Sequence, residues 1–177
     1  MIDVHVHVCR IPGPPRGDRQ AFSTPEQLIE RYDEIGIERG VLLPLVSPEV
    51  YLPQSNEDIL EICQEYPDRF IPFCNVDPRA VSNTVDAPLE RVLEFYRDRG
   101  CRGLGEVTAN MPFLHPKVQN LCRALQEVGM PMTIHIAPEL GVNYGLHDDP
   151  GLPGLGRTLA RFPELKIIGH SQPLWAE

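Results

Sequence analysis

Ile2, Val4, Val6 and Val8 alternate with Asp3, His5 and His7 at the start of the chain. A period of two is that of a β-strand with one apolar and one polar face, so both imidazoles lie on the same side. The spacing then changes: Leu28, Ile29, Tyr32 and Ile35 recur every three or four residues, the stripe of a helix with one buried face. Thr24, Pro25 and Gln27 ahead of that stripe make a capping-box start, and Gly36 ends it. Asn56 is read as the cap of the next stripe, Ile59, Leu60, Ile62 and Cys63. Carried along the chain, the two periods predict strands over about residues 2–8, 40–46, 69–76, 101–107, 131–136 and 165–170. They predict helices over about residues 25–35, 55–65, 86–99, 116–128 and 152–162.

The connections are unequal. Helix-to-strand turns are short (36–39, 66–68, 100 and 129–130), whereas strand-to-helix loops are long and rich in Pro, Gly and Asn (9–23, 47–54, 77–85, 108–115 and 137–150). Parallel strands with elaborated loops at their C-terminal ends predict an α/β fold, the (β/α)8 TIM barrel, with its active site on that rim. An open doubly wound sheet is the alternative, but no Gly-x-Gly-x-x-Gly follows the first strand. A full barrel needs eight strands and about 250 residues. With 177 residues and six predicted strands, the chain is read as one partial barrel domain over 1–177, truncated after strand 6. Open edges on the first and sixth strands predict aggregation or a homo-oligomer, and an inactive isolated fragment.

Composition narrows the partners. The formal net charge is −9 and the Lys and Arg residues are scattered, which argues against nucleic acid. The apolar runs are too short to span a bilayer. Five cysteines show no Cys-x-x-Cys spacing and four fall in apolar patterns, so reduced core thiols are expected. With no basic, apolar leader before the first strand, the expected compartment is the cytoplasm.

His5 and His7 end the first predicted strand, Glu106 the fourth, His135 the fifth and His170 the sixth. Each precedes a long loop, so a barrel brings all five to one rim. Four imidazoles and a carboxylate converging there call for a cation. Taken singly, His135 and His170 read first as hydrogen-bonded core histidines, and the alternative for Glu106 is a salt bridge to Arg102, two residues back on the same face of the strand. Arg79, beyond the third strand, could hold a substrate carboxylate bidentately or could be an ordinary loop arginine beside Asp77-Pro78. Asn110, Tyr144 and Gln172 lie on rim loops as candidate substrate contacts. His147 and Cys9 are weaker candidates near the same rim.

The order His-x-His on strand 1, a residue on strand 4 and single histidines on strands 5 and 6 resembles the amidohydrolase superfamily. The segments MIDVHVHV, FIPFCNVDPR, GLGEVTAN, TIHIAP and IIGHSQP are similar to its amidohydrolase-related branch, amidohydrolase family 2. That branch holds metal-dependent hydrolases and nonoxidative decarboxylases, such as those acting on aminocarboxymuconate semialdehyde and γ-resorcylate. The resemblance implies that His5 and His7 ligate one or two divalent ions, typically zinc, with His135 a ligand or close neighbour. It implies that His170 binds metal or orients the attacking water and substrate. Glu106 would be a ligand, a bridge between two ions or a substrate contact. The family's strand-8 aspartate has no counterpart in this chain.

Such an ion lowers its water's pKa to about 7 and polarises a carbonyl. The implied activity is hydrolysis of a small amide or lactone-like substrate. The alternative is decarboxylation of an unsaturated or aromatic acid on the same scaffold. A nuclease of the TatD type shares the ligand pattern, but the acidic charge weighs against it. An inactive fragment is the non-enzymatic reading.

Overall fold

The computed structural model describes residues 1–15, 17–20, 22–50, 55–141, 144–171 and 174. Along the chain run β1 (Ile2–Val6), α1 (Pro25–Ile35), β2 (Arg39–Leu42), α2 (Asn56–Glu65), β3 (Phe70–Pro72), α3 (Leu89–Arg97) and β4 (Leu104–Val107). They are followed by α4 (Pro116–Val128), β5 (Met132–Ala137), β6 (Leu146–His147), α5 (Pro153–Arg161) and β7 (Ile167–His170). Every strand pair is parallel: β1–β2, β2–β3, β4–β5, β5–β6 and β5–β7. Between β3 and β4 the sheet narrows to a bridge of Cys74 with Leu104. Cys74 N–H donates to Gly103 O (3.0 Å) and Gly105 N–H to Cys74 O (2.9 Å), which carries the ladder across. The βα alternation is that of the predicted TIM barrel.

Two local differences have clear causes. The predicted loop 137–150 contains a two-residue strand, β6, so the sixth predicted strand is β7. Leu146 is fully buried, and backbone bonds fasten it to the loop after β4: Gly145 N–H to Thr108 O (2.7 Å) and His147 N–H to Met111 O (2.9 Å). Two residues carry no readable period, so only the tertiary contacts define this strand. The cap of α2 is Ser55 rather than Asn56. Ser55 and Asp58 form a reciprocal capping box, which satisfies two orphan N–H groups where a lone Asn cap satisfies one. The predicted Thr24–Gln27 box caps α1.

The helices cover the sheet with the faces their stripes predict. Leu89 and Leu93 of α3, Leu121 and Leu125 of α4, Leu104, Met132 and Ile134 are fully buried in the larger core. Tyr32, Leu42, Ile59, Ile62 and Phe70 form a second core over β1–β3. Tyr32 also reaches the sheet's polar face: its hydroxyl donates to Asp3 Oδ2 (2.9 Å), while Asp3 Oδ1 accepts from His5 N–H (3.0 Å). Gly40 makes this possible, because a Cβ there would lie 2.5 Å from the Tyr32 hydroxyl. All five cysteines are buried and unpaired. Among the described residues, no helix is long and apolar enough to cross a membrane.

Candidate metal centre

The C-terminal ends of β1, β4, β5 and β7 meet around one carboxylate. Glu106 is buried (2% exposed), and its two oxygens divide the four imidazoles into two pairs. Oε2 lies 3.1 Å from His7 Nε2 and 3.5 Å from His5 Nε2. Oε1 lies 2.7 Å from His135 Nδ1 and 3.8 Å from His170 Nε2. In each half, His5–His7–Glu106 and Glu106–His135–His170, the ligand atoms fall within 4.8 Å of one another. The structure therefore brings together all five residues expected from the sequence. Arg102 lies at the other end of β4, so a salt bridge to it is not what engages Glu106.

The electrostatics favour an anionic carboxylate at Glu106 and a neutral ring at His170. Burial works against the charge of Glu106, but hydrogen bonds from His135, His5 and His7 prevail and hold it well below the usual carboxylate range. Burial and the neighbouring His5 ring push His170 below the usual histidine range. The two rings stack, with centroids 3.8 Å apart and planes at 20°.

The donor set fits a cation. His7 Nδ1 lies 2.6 Å from Leu43 O, an acceptor only, so Nδ1 carries the proton and Nε2 turns a lone pair to the cluster. That lone pair faces Glu106 Oε2 at 3.1 Å and His5 Nε2 at 3.2 Å. Two lone pairs so close need a proton or a metal ion between them. His5 Nδ1 is buried without a hydrogen-bond partner among the described residues.

The other expected contacts separate by location. Tyr144 lies against His135, ring centroids 4.5 Å apart, and Phe22 lies 5.7 Å from the His7 ring. Gly145 permits this approach: its φ is +107°, and a Cβ would come within 2.7 Å of His135 Cδ2. Asn110 spends its side chain on the same loop, donating to Glu139 O and Gly145 O (both 3.2 Å) and accepting from Gly141 N–H (2.6 Å). Arg79 is engaged by its own chain. Its guanidinium donates to Asp77 (Nε–Oδ1 and Nη2–Oδ2, both 2.7 Å) and to Glu49 (3.0 and 2.9 Å). Ser47 and Asn110 N–H bond the same two carboxylates, so the cluster ties together the loops after β2, β3 and β4. Cys9 is a neutral buried thiol, pushed up to about 11 mainly by burial. His147 sits in β6 with Nδ1 buried and unpartnered among the described residues. Gln172 lies outside the described residues.

Sequence reading missed Asn75. Its Nδ2 donates to Pro44 O and to Glu106 O (both 2.6 Å), spanning the strand ends on either side of β3. Asn56 holds it in turn through Asn75 N–H to Asn56 Oδ1 (2.7 Å) and Asn56 Nδ2 to Asn75 O (3.0 Å). The only available signal was an Asn at the end of an apolar strand, which is too common to single out. Asn75→Leu leaves two buried carbonyls without donors and is expected to lose about 2–6 kcal/mol of stability, at about 1–3 kcal/mol for each unsatisfied group. Urea unfolding measures this directly; an unchanged midpoint would show that the stitch contributes nothing.

With this geometry in place, comparisons with known proteins bear on the chain. The protein-family model described as amidohydrolase matches residues 2–172. The chain belongs to the amidohydrolase family. A search of curated proteins finds no match. Solved structures similar to this family member include an uncharacterised TIM-barrel protein from Bordetella bronchiseptica, with TM-score 0.68 and 18% identity over 95% of this chain and 65% of that one. A probable 2-pyrone-4,6-dicarboxylic acid hydrolase from Acinetobacter baumannii, solved with citric acid, has TM-score 0.56 and 18% identity over 95% of this chain and 57% of that one. A 5-carboxyvanillate decarboxylase from Novosphingobium aromaticivorans, solved with manganese and a nitrobenzoic acid ligand, has TM-score 0.55 and 21% identity over 81% of this chain and 48% of that one. At these identities the likeness shows the fold. The chain spans about 48–65% of the length of these structures.

Proposed function

We propose that this chain carries the metal-binding part of a hydrolase that adds water to a small carbonyl substrate of the amide or lactone class. The observation supporting this reading is the Glu106 carboxylate, shared by two imidazole pairs at the rim of the barrel. His5, His7 and Glu106 would hold one divalent ion, zinc or manganese. Glu106, His135 and His170 would hold a second, or would face the substrate. A bound divalent ion supplies a Lewis acid for the carbonyl and lowers the pKa of water. The residues provide the rest: Leu43 O keeps the His7 lone pair turned inward, and Glu106 supplies fixed negative charge. His170, held neutral, can accept a proton from water beside its ring.

A decarboxylase of an unsaturated or aromatic acid is the second reading. The rings of Tyr144 and Phe22 flank the centre and favour a planar substrate. Oxygen and hydrogen tracing separates the two in the parent enzyme loaded with zinc or manganese. A pyrone-type lactone and a hydroxybenzoic acid are offered in 18O-labelled water and in deuterated water. Solvent oxygen entering a new carboxylate is the expected result. Carbon dioxide release, with solvent deuterium on the vacated carbon, would replace hydrolysis by decarboxylation. Turnover of neither class would count against both.

A further inference from the structure

At the opposite end of the strands from the histidines, a groove of about 350 Å³ runs between α2 and the turn after α3, beside β3. Arg39 opens β2, Arg99 follows α3 and Arg102 precedes β4, and all three line this groove together with Cys63 and Gln64 of α2. No Asp or Glu is among its lining residues. What sets this place apart is that three arginines without carboxylate partners line one groove, since Arg19, Arg91, Arg157 and Arg161 also lack such partners among the described residues. Arg10, Arg31, Arg69, Arg79, Arg97 and Arg123 all have carboxylate partners within 4.0 Å. Arg39, Arg99 and Arg102 have none among the described residues, in a chain whose formal net charge is −9.

Two of the three are held in place without being neutralised. Arg99 donates from Nη1 to Phe95 O (3.0 Å), and its guanidinium carbon stands 3.3 Å from the Phe95 ring centroid. Arg39 Nη2 has only distant carbonyl acceptors, Phe70 O at 3.3 Å and Pro67 O at 3.4 Å. Its Nε is buried with no acceptor among the described residues. A buried N–H on a cation without an acceptor is costly, and three like charges in one groove repel one another. An oxyanion offsets the repulsion, because a guanidinium presents parallel N–H donors matched to phosphate or carboxylate oxygens.

We propose that this groove binds a small, multiply charged phosphate compound, separately from the histidine centre. Its volume suits a free small molecule, and the acidic balance of the chain disfavours a nucleic-acid backbone. The groove lies over β2–β4, inside the described sheet and away from the free edges of β1 and β7.

Calorimetric titration of pyrophosphate into metal-free protein tests the assignment, with metal-free conditions preventing chelation at the histidines. Saturable 1:1 binding is expected, weakened by about tenfold in Arg102→Met, the effect of losing one charge-assisted contact. Arg102 is exposed, so this variant keeps the fold, and Arg99→Met gives a second reading at a different guanidinium. Binding should persist in a His5→Ala, His7→Ala variant and fall steeply with added salt. Absence of saturable heat up to about 10 mM, far above a useful affinity for such a site, would overturn the proposal. So would equal affinity in both arginine variants, or loss of binding with the two histidines. Citrate binding more tightly than pyrophosphate would overturn the phosphate assignment by pointing to a polycarboxylate.

Discussion

Replacing His5 and His7 together by Ala is expected to leave less than about a tenth of an equivalent of zinc or manganese per chain after metal loading, because even the groups that only orient metal ligands are worth about 10- to 100-fold in affinity. These two residues present Nε2 atoms 3.2 Å apart beside the same Glu106 oxygen, so one half of the donor set disappears at a stroke. The change should show in stability as well. An ion at about 100 times its dissociation constant stabilises the native state by about 2.7 kcal/mol. For a domain of this size that is roughly 5–10 °C in Tm. The parent chain should gain this shift with metal and the double variant should not. Equal metal content in the two, measured by elemental analysis, would remove the strand-1 histidines from the centre.

Glu106→Gln has the second largest expected effect. The amide keeps the size of the side chain but removes the charge that both imidazole pairs share. Metal affinity or turnover should fall about 10- to 100-fold, the range found for groups that hold or orient metal ligands. Glu106→Asp restores the charge on a side chain one methylene shorter, which cannot reach both pairs at once. It should fall between the parent and Glu106→Gln. If Glu106 served only as a buried structural anion, Gln and Asp would change stability and leave metal titrations untouched. Competition titration with a chromophoric chelator distinguishes these outcomes.

Much of the barrel and the identity of the cluster were legible in the residues. His5 and His7 sit on a run with a period of two, and that period alone puts both rings on one face. Glu106, His135 and His170 could be singled out because each stands at the end of a predicted strand before a long loop. The α1 cap was legible because Thr24, Pro25 and Gln27 act within one helical turn. The cap of α2 was misread because Asn56 and Ser55 are both good caps in isolation. What decided between them was Asp58 for the serine and Asn75, in the loop after β3, for the asparagine.

The rest depended on distances between segments far apart in sequence. Arg79 reads as a free loop arginine until Glu49, thirty residues earlier, is brought beside it. Nothing local announces that Arg39 shares a groove with Arg99 and Arg102, since it opens β2 while the other two lie in the turn between α3 and β4. By itself the sequence determined the parallel βα order, the faces of the helices and the five residues at the rim, because side-chain periodicity acts over a few residues. Tertiary structure decided how those residues pair. Strand register and loop closure set the 2.7 Å from Glu106 to His135 and the 3.1 Å to His7, turning one carboxylate into the shared partner of both imidazole pairs. Coordination and ion pairing change over ångströms, whereas hydrophobic patterning fixes only which side of an element faces inward.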